Sequence, residues 1–198
     1  MLKQKTLVLF KPDVVQRQIV GEILTRFERK GFKIVGMKMV LPTESLAKEH
    51  YETTDEQIIG MGNKTIVLAQ EHGEDTSKMD AREIGLKVWQ RNVDYLSCGP
   101  ILAIVMQGPH IIESVRKMIG VTNPFMADVG TIRADYSPDS ITLSSSSDRT
   151  TRTMLHASDS EKSAQREIAL WFKKGEIFEY ETAIEKVLFD VSWSLKRK

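Results

Sequence analysis

The first fifty residues of the chain contain two strand-like apolar runs, each followed by a helix pattern. The predicted elements are a strand over 6–10, a helix over roughly 14–30, a strand over 32–40 and a short helix that reaches His50 and Tyr51. Because Pro12 cannot occupy a central ladder position, we expect Lys11 at the end of the first strand, on the rim of the sheet. Gly31 is the stop signal of the first helix.

The second half of the chain also alternates strand and helix patterns. The pattern predicts a strand over 101–106, a helix over 109–119, a short strand over 129–133 and an amphipathic helix with Ile168, Trp171 and Phe172 on one face. The 101–106 run is entirely apolar, which is typical of a strand buried on both faces. The order β-α-β-α-β-α-β predicts an α+β fold, a split βαβ sandwich with helices packed on an antiparallel sheet.

Some segments stand outside this alternation of strands and helices. We expect one domain over 1–198, with an inserted segment over 53–86 and a C-terminal extension over 182–198. Within the insertion, residues 65–70 predict a strand and residues 71–75 an acidic turn. The serine-rich residues 137–152 predict a mobile loop or an exposed hairpin. The tail from residue 176 has helical periodicity and is expected to pack on the domain or on a neighbour.

The composition is that of an ordinary globular protein. The 28 Lys and Arg residues against 27 Asp and Glu leave a formal net charge of +1. A dedicated nucleic-acid binder would need a basic excess to neutralise phosphates, so this class is disfavoured. Every apolar run falls short of the roughly 18 residues of a membrane helix, so no membrane partner is expected.

Cysteine and histidine usage narrows the chemistry further. The single cysteine, Cys98, excludes an intrachain disulfide, and the chain enters its first strand pattern with no signal-peptide cleavage site. Both features fit a cytoplasmic protein. One cysteine and scattered histidines supply no zinc-ligand spacing, and His50, His72 and His110 are expected to be structural or solvated.

His156 stands where phosphate chemistry is favoured. It precedes three N-cap residue types, Ser158, Asp159 and Ser160, and Ser158 with Glu161 fits a capping box. The N-terminus of a helix offers free N–H groups and the positive end of the macrodipole to an incoming anion. These residues alone leave two interpretations open: a histidine that meets phosphate, or a histidine that ends a strand.

Any phosphate must be held by separate side chains. The chain has neither a Gly-x-x-x-x-Gly-Lys-Ser/Thr loop nor a Gly-x-Gly-x-x-Gly motif. The candidates are Lys11, Arg116, Thr122 and Arg133, the last at another predicted strand end. Guanidinium groups contact phosphate oxygens in a bidentate way, and lysine supplies a compact charge. Taken singly, each of these residue types is more often a solvated surface residue.

Seven short motifs follow one another in an order shared with a known family. They lie at 6–13, 20–23, 27–32, 120–124, 130–133, 156–160 and 167–172. The run His-Ala-Ser-Asp-Ser at 156–160 is rare by chance, so the agreement is specific. Over about residues 5–52 and 87–181 the chain closely resembles nucleoside diphosphate kinases. The resemblance implies a ferredoxin-like βαββαβ core covered by helices, assembled as hexamers or tetramers.

The resemblance also implies a role for each site residue. His156 would take the γ-phosphoryl group from a nucleoside triphosphate and pass it to a nucleoside diphosphate, in ping-pong order through a phosphohistidine. Glu167 and Ser158 would orient the ring, and Tyr51 would lie beside it. The phosphates would be bound by Lys11, Arg116, Thr122 and Arg133. Mg²⁺ would bridge the nucleotide phosphates, and Asp159 would reach it through water.

The chain departs from the family pattern near the sugar. Three residues before the histidine, where the family has an asparagine that contacts the 3′-hydroxyl, this chain has Thr153. Threonine is shorter, so sugar recognition is expected to be weaker or remodelled. We hypothesise that residues 137–152 cover the nucleotide and that Arg149 or Arg152 compensates for the missing asparagine.

The base site departs as well. The phenylalanine on which the family stacks the base falls near Val88, next to Trp89. Either side chain offers a flat or apolar contact, and Trp89 alternatively belongs to the core of its helix. Because of these departures, a second hypothesis is a catalytically weak nucleotide-binding or scaffold relative of the family.

Overall fold

The computed structural model describes residues 3–71, 73 and 75–189. His72 and residues 190–198 of the C-terminal extension lie outside the described residues. The strands are β1 (Gln4–Phe10), β2 (Lys33–Val40), β3 (Ile101–Gly108) and β4 (Leu155–Ala157). The helices are α1 (Pro12–Gln16), α2 (Val20–Arg29), α3 (Glu44–His50), α4 (Asp55–Glu71), α5 (Ala81–Ser97), α6 (Ile111–Ile119), α7 (Ile132–Tyr136), α8 (Ile141–Ser146), α9 (Glu161–Trp171) and α10 (Ala183–Phe189), with a 3₁₀ turn at Pro124–Met126.

The strands form an antiparallel sheet in the order β2-β3-β1-β4. This topology confirms the predicted α+β, ferredoxin-like fold. The short strand β4 pairs with the end of β1, so that His156 lies opposite Leu9. The Lys11 backbone N–H donates to the Met154 carbonyl at 2.9 Å, which brings the end of β1 against the residues before His156.

The sheet carries an apolar core on each face. Successive strand residues point to opposite faces, and β1 divides accordingly. Val8 and Phe10 pack with Phe27 in one core, whereas Leu7 and Leu9 belong to the other. Because both faces of β1 and β3 are covered, the residues that line a cavity are found where the strands end.

Two of the predicted elements are wrong, one in its boundaries and one in its type. The helix expected over 14–30 is broken into α1 and α2, because Gln18 adopts a left-handed conformation with φ +58°. The strand expected over 129–133 is wrong, since that segment contains the start of α7. Thr131 caps α7 by accepting from the Ala134 N–H, and this local hydrogen bond favours a helix start over an extended strand.

The strand expected over 65–70 is also wrong. These residues belong to the 17-residue helix α4, which packs antiparallel to α5 as a hairpin. A Cβ at Gly62 would lie 1.7 Å from the Ala81 carbonyl oxygen, and one at Gly85 would lie 1.9 Å from that of Ile58. The two helices therefore touch backbone to backbone, and this tertiary contact overrides the β-branched residues of the run.

The exposed hairpin expected over the serine-rich residues 137–152 is also wrong. This segment contains the helix α8, capped by the Ser140 side chain, which accepts from the Leu143 N–H. In the tail, the predicted helical periodicity is realised by α10, and Leu188 and Ile184 lie against Gly31. Among the described residues, no helix is both long and apolar enough to cross a membrane.

Candidate active site

His156 is held by a buried carboxylate. Its Nε2 lies 2.9 Å from Oε2 of Glu167, which is 5% exposed on α9. The Ser158 hydroxyl donates to the same oxygen at 2.7 Å and accepts from the Leu7 N–H at 3.2 Å. Since a carboxylate accepts hydrogen bonds, it selects the tautomer with the proton on Nε2. Nδ1 then carries the lone pair, and it has no hydrogen-bond partner in the part of the chain that the structure describes.

The helix that follows His156 begins differently from the predicted capping box. Ser160 is the N-cap of α9, because its side chain accepts from the Ser163 N–H at 3.1 Å. Ser158 is fully buried and serves Glu167 instead. The capping box of Ser158 with Glu161 is therefore wrong. One hydroxyl caps the helix and the other holds the carboxylate that orients His156.

A second histidine packs against the first. His50, at the end of α3, is 3% exposed, and its ring centroid lies 4.4 Å from that of His156, with the planes at 86°. Its Nδ1 accepts from the Trp171 indole N–H at 3.2 Å. Burial lowers the pKa of His50 well below its usual range, and the nearby His156 and Lys11 lower it further. Tyr51 lies beside this pair, and burial raises its pKa.

Lys11 lies at the end of β1, as predicted, and its amine is buried. Its Nζ donates to Thr153 Oγ1 at 2.8 Å and lies 5.0 Å from the centroid of the Tyr95 ring. Burial lowers the pKa of Lys11 to about 7, with a further contribution from the charge of Arg133. The family's asparagine position is therefore filled by a threonine whose hydroxyl holds the lysine.

Arg133 links α7 to two other segments of the chain, the end of α6 and the turn before His156. Its guanidinium donates to the carbonyls of Gly120, Thr153 and Leu155 at 2.7, 2.9 and 2.8 Å. Burial lowers its pKa to about 10. It lies in the first turn of α7 and not at a strand end, which corrects the predicted position. Five N–H donors are available on a guanidinium, so contacts remain for a ligand after these three.

The backbone before His156 is strained. Met154 has φ +65°, and the Leu155 N–H donates to the Thr153 carbonyl two residues earlier at 2.7 Å, as in a γ-turn. The Met154 N–H donates to the Tyr95 hydroxyl, which in turn donates to Asp13 at 2.5 Å. A non-glycine residue in this region is costly unless its surroundings hold it, and such residues cluster at functional sites.

These groups share one cavity of about 800 Å³. Its walls include His156, Glu167, Tyr51, Lys11, Arg116, Thr122, Arg133, Thr153 and Asp159. The structure thus brings together nine of the twelve residues proposed from the sequence, and Ser158 lies directly behind Glu167. A site with one nucleophilic nitrogen, several cations and hydroxyl donors can bind and attack a phosphorylated substrate.

The two residues proposed for base stacking diverge. Val88 lines a second, mainly apolar cavity of about 410 Å³ between α4, α5 and α8. Trp89 instead donates its indole N–H to the Tyr51 carbonyl at 2.8 Å and, partly buried, packs against the core. Thr150 of the second cavity donates to Asn92 of the first at 2.6 Å, so this hydrogen bond joins their walls.

The arginines expected to replace the family asparagine have other partners. Arg149 forms a bidentate pair with Asp139, with distances of 2.7 and 2.8 Å. The Arg152 guanidinium lies 4.7 Å from the centroid of the Tyr95 ring. The ion pair between Arg149 and Asp139 fixes the 137–152 segment beside the apolar cavity.

The family of the chain follows from a direct comparison. The model of the family "Nucleoside diphosphate kinase" matches residues 4–59 and 61–177, so the match runs through most of the predicted insertion. The chain belongs to the nucleoside diphosphate kinase family. This confirms the resemblance seen in the seven motifs.

Relatives match over nearly their whole length. A nucleoside diphosphate kinase of Pyrobaculum aerophilum is 40% identical over 180 residues, covering 89% of this chain and 98% of the relative. The crystal structure of an NDP kinase from that organism superposes with a TM-score of 0.85 at 38% identity, covering 90% and 100% of the two chains. A Borrelia burgdorferi nucleoside-diphosphate kinase, described as a transition-state mimic with bound vanadate and ADP, gives 0.79 at 36% identity, covering 96% and 99%.

Sequence reasoning missed several groups around this nucleoside diphosphate kinase site. His50 was assigned a structural or solvated role, yet it packs on His156. Sequence reasoning did not propose Tyr95 and Asn92, although Tyr95 holds the backbone before His156 and Asn92 lines the same cavity as His156. Both lie on one face of α5 at a spacing of three residues, which was the available signal.

Proposed function

We propose that this nucleoside diphosphate kinase family member transfers the γ-phosphoryl group of a nucleoside triphosphate to a nucleoside diphosphate through His156. The observation that supports this most directly is the hydrogen bond from His156 Nε2 to buried Glu167. It leaves the Nδ1 lone pair as the nucleophile at the wall of the cavity.

In the first half-reaction, the Nδ1 lone pair attacks the γ-phosphorus and forms the N–P bond. The bond from that phosphorus to the bridging oxygen breaks, and the nucleoside diphosphate leaves with its electron pair. Nε2–H stays hydrogen-bonded to Glu167, which stabilises the positive charge that develops on the ring. A second nucleoside diphosphate then attacks the same phosphorus with a terminal oxygen, and His156 is regenerated in ping-pong order.

The cations of the cavity are suited to the phosphate charge. Lys11 is buried and Arg133 is half-buried, and both are held in place by hydrogen bonds, whereas Arg116 on α6 is exposed and can reach a ligand. Thr122 adds a hydroxyl donor on the same wall. Charges fixed before the reaction stabilise a transition state without reorganisation, and this is the role we assign to Lys11 and Arg133.

We place the nucleoside on the side of the Asn92–Thr150 hydrogen bond. The apolar cavity there, lined by Val88, suits a base that is recognised by its flat face more than by its polar edge. Thr153, held by Lys11, stands where the sugar would pass. This arrangement predicts weak base selectivity.

We infer that Mg²⁺ is the cofactor. Asp159 lines the cavity, and the Ser163 hydroxyl beside its carboxylate helps to lower its pKa. Mg²⁺ is commonly bound by one or two carboxylates and the substrate phosphates, so the donor set fits, with Asp159 reaching the ion through water. When bound, the ion would neutralise phosphate charge.

A catalytically weak binding or scaffold relative is not favoured. The nucleophile, its orienting carboxylate and the phosphate-binding cations are all present and share one cavity. A decayed site would be expected to have lost part of this set.

Labelling with nucleoside triphosphate tests the proposal. Incubation with ATP labelled on the γ-phosphate and Mg²⁺ should give an acid-labile, base-stable phosphoprotein, and His156→Ala should remain unlabelled. His110→Asn, which removes an exposed histidine, is the matched control and should label like the wild type. An unlabelled wild type, or equal labelling of His156→Ala, would overturn the proposed function.

We also infer a homo-oligomer, a hexamer or tetramer. Met37 and Met39 are exposed on the edge strand β2. A second apolar patch, with Phe125 77% and Val129 96% exposed, follows α6. Apolar patches of this kind mark interfaces between proteins. Light scattering should give four or six times the monomer mass, and Val129→Lys with Phe125→Lys should lower it.

A further inference from the structure

His50 is buried against the proposed nucleophile with one nitrogen unpaired. Its side chain is 3% exposed, and Nε2 has no hydrogen-bond partner in the described part of the chain. Buried polar atoms in proteins are nearly always paired, so an exception beside a reacting group calls for a function. The other ring nitrogen, Nδ1, accepts from the Trp171 indole N–H at 3.2 Å.

Trp171 fixes the tautomer of His50. An indole nitrogen can only donate, so Nδ1 of His50 must carry a lone pair and its proton must lie on Nε2. His50 therefore presents an N–H, and not a lone pair, on its unpaired side. Trp171 is 4% exposed and belongs to the core, which keeps this hydrogen bond in place.

This tautomer argues against a metal centre at the same place. His50, His156 and Glu167 offer ligand atoms within 4.8 Å of one another, as a metal site would require. A histidine that binds a metal uses a lone pair and usually donates its other N–H to an acceptor. Trp171 imposes the reverse arrangement on His50. The cluster is therefore better suited to orienting the His156 ring than to binding a metal ion.

The contact between the two rings restricts the orientation of the His156 ring. The hydrogen bond to Glu167 fixes His156 at Nε2, but the ring can still tilt about the line from its Cβ to that nitrogen. The perpendicular contact with His50, at 86° and 4.4 Å, restricts this tilt. Attack on phosphorus requires the Nδ1 lone pair to lie in line, so a small error of tilt reduces the rate.

We propose that His50, locked by Trp171, is a positioning residue that sets the plane of the His156 ring for attack. This inference rests on the proposed function of His156. It assigns His50 and Trp171 to one unit that acts on the chemical step and leaves nucleotide binding unchanged.

The first test reads the tautomer without any activity. In the protein with ¹⁵N-labelled histidine, the resonances that disappear in His50→Phe identify His50. We expect its proton on Nε2 in the wild type and a mixture of tautomers in Trp171→Phe. A wild-type proton on Nδ1 would overturn the proposal. Because this result does not depend on phosphorylation, it is separate from a failure of the proposed function.

The second test measures single-turnover phosphorylation of His156 by ATP and Mg²⁺. His50→Phe and Trp171→Phe should each lower the rate constant about tenfold and change the dissociation constant of the nucleotide less than twofold. The double variant should be no slower than His50→Phe alone, because the residues act as one unit. Additive losses, or losses confined to nucleotide affinity, would contradict a positioning role. His110→Asn again serves as the control.

Discussion

The cavity around His156 and the α4–α5 hairpin are held together by different interactions. In the cavity, Lys11, Arg133 and Glu167 are each fixed by hydrogen bonds to neighbouring carbonyls or hydroxyls. In the hairpin, Gly62 and Gly85 let two helices touch backbone to backbone, with few polar contacts. The first region is built from charged groups held by hydrogen bonds, and the second from close packing of two helices.

Because of this difference, we expect the two regions to contribute separately to catalytic activity and to the stability of the fold. Groups of the cavity are held in positions that suit a ligand, at a cost to the folded state. The glycines of the hairpin contribute packing, and the residues that a Cβ at Gly62 or Gly85 would meet, Ala81 and Ile58, do not line the cavity around His156. We therefore expect changes in the first region to lower activity with little loss of stability, and changes in the second to do the opposite.

Lys11→Met should produce the largest effect. Loss of a fixed cation at the phosphates should lower kcat/KM by about 10²–10³-fold. The free energy of unfolding at pH 7 should change by less than about 1 kcal/mol, because a costly buried charge is removed with its hydrogen bond. Steady-state kinetics and urea unfolding measure the two quantities.

The buried Lys11 destabilises the folded protein, because burial lowers its pKa from a usual 10.5 to about 7. The unfolded chain keeps this proton up to about pH 10.5, so the cost of the wild-type lysine is fully present below pH 7 and fades as the pH rises toward 10.5. Lys48→Met, which removes an exposed lysine paired with Glu44, is the control and should leave both quantities unchanged. A large loss of stability in Lys11→Met would break the contrast between the regions.

Gly85→Ala should show the opposite behaviour. Its Cβ would meet the Ile58 carbonyl oxygen at 1.9 Å, so the helices must separate, at a cost of about 2–3 kcal/mol. Because α4 and α5 also line the proposed base cavity, any change there should affect nucleotide affinity, and labelling of His156 at saturating ATP below the unfolding temperature should stay within a few fold of the wild type. Gly60→Ala in α4 has no atom within 4 Å of its Cβ and should instead stabilise by about 0.5–1 kcal/mol. Equal destabilisation by both substitutions would show that the close approach is unimportant.

The same contrast explains what the sequence could reveal. Lys11 and the region of His156 were predictable because a strand end, a proline and a helix start are local signals. The α4 helix was not, because residues 65–70 have β propensity and only the glycine contact with α5 selects the helix. His50 was missed for a related reason, since its contact with His156 joins residues far apart in the chain.

Asp139→Asn should have a smaller effect on the border of the two regions. The carboxylate accepts two bonds from Arg149 and one from the Arg152 N–H, and its loss should cost about 1–2 kcal/mol. The hydrogen bond from Arg149 lowers the pKa of Asp139 to about 2. The stabilisation is therefore present above the unfolded pKa of roughly 4 and is lost as the pH falls toward 2. Urea unfolding at pH 7 and pH 3 should show the two proteins converging in acid; a constant difference would contradict the assignment.

The smallest effect is a proton taken up when nucleotide binds. With a pKa of about 7, Lys11 is mostly neutral at pH 8 in the free protein. Phosphate charge beside the amine raises its pKa, so binding of a nucleoside diphosphate at pH 8 should take up about one proton, and much less at pH 6. Calorimetric titrations in buffers of different ionisation enthalpy measure this number directly. Lys11→Arg keeps the charge and cannot lose its proton, so its binding enthalpy should not depend on the buffer. If the uptake persists in Lys11→Arg, another group of the cavity binds the proton, and burial of Lys11 is not what couples binding to pH.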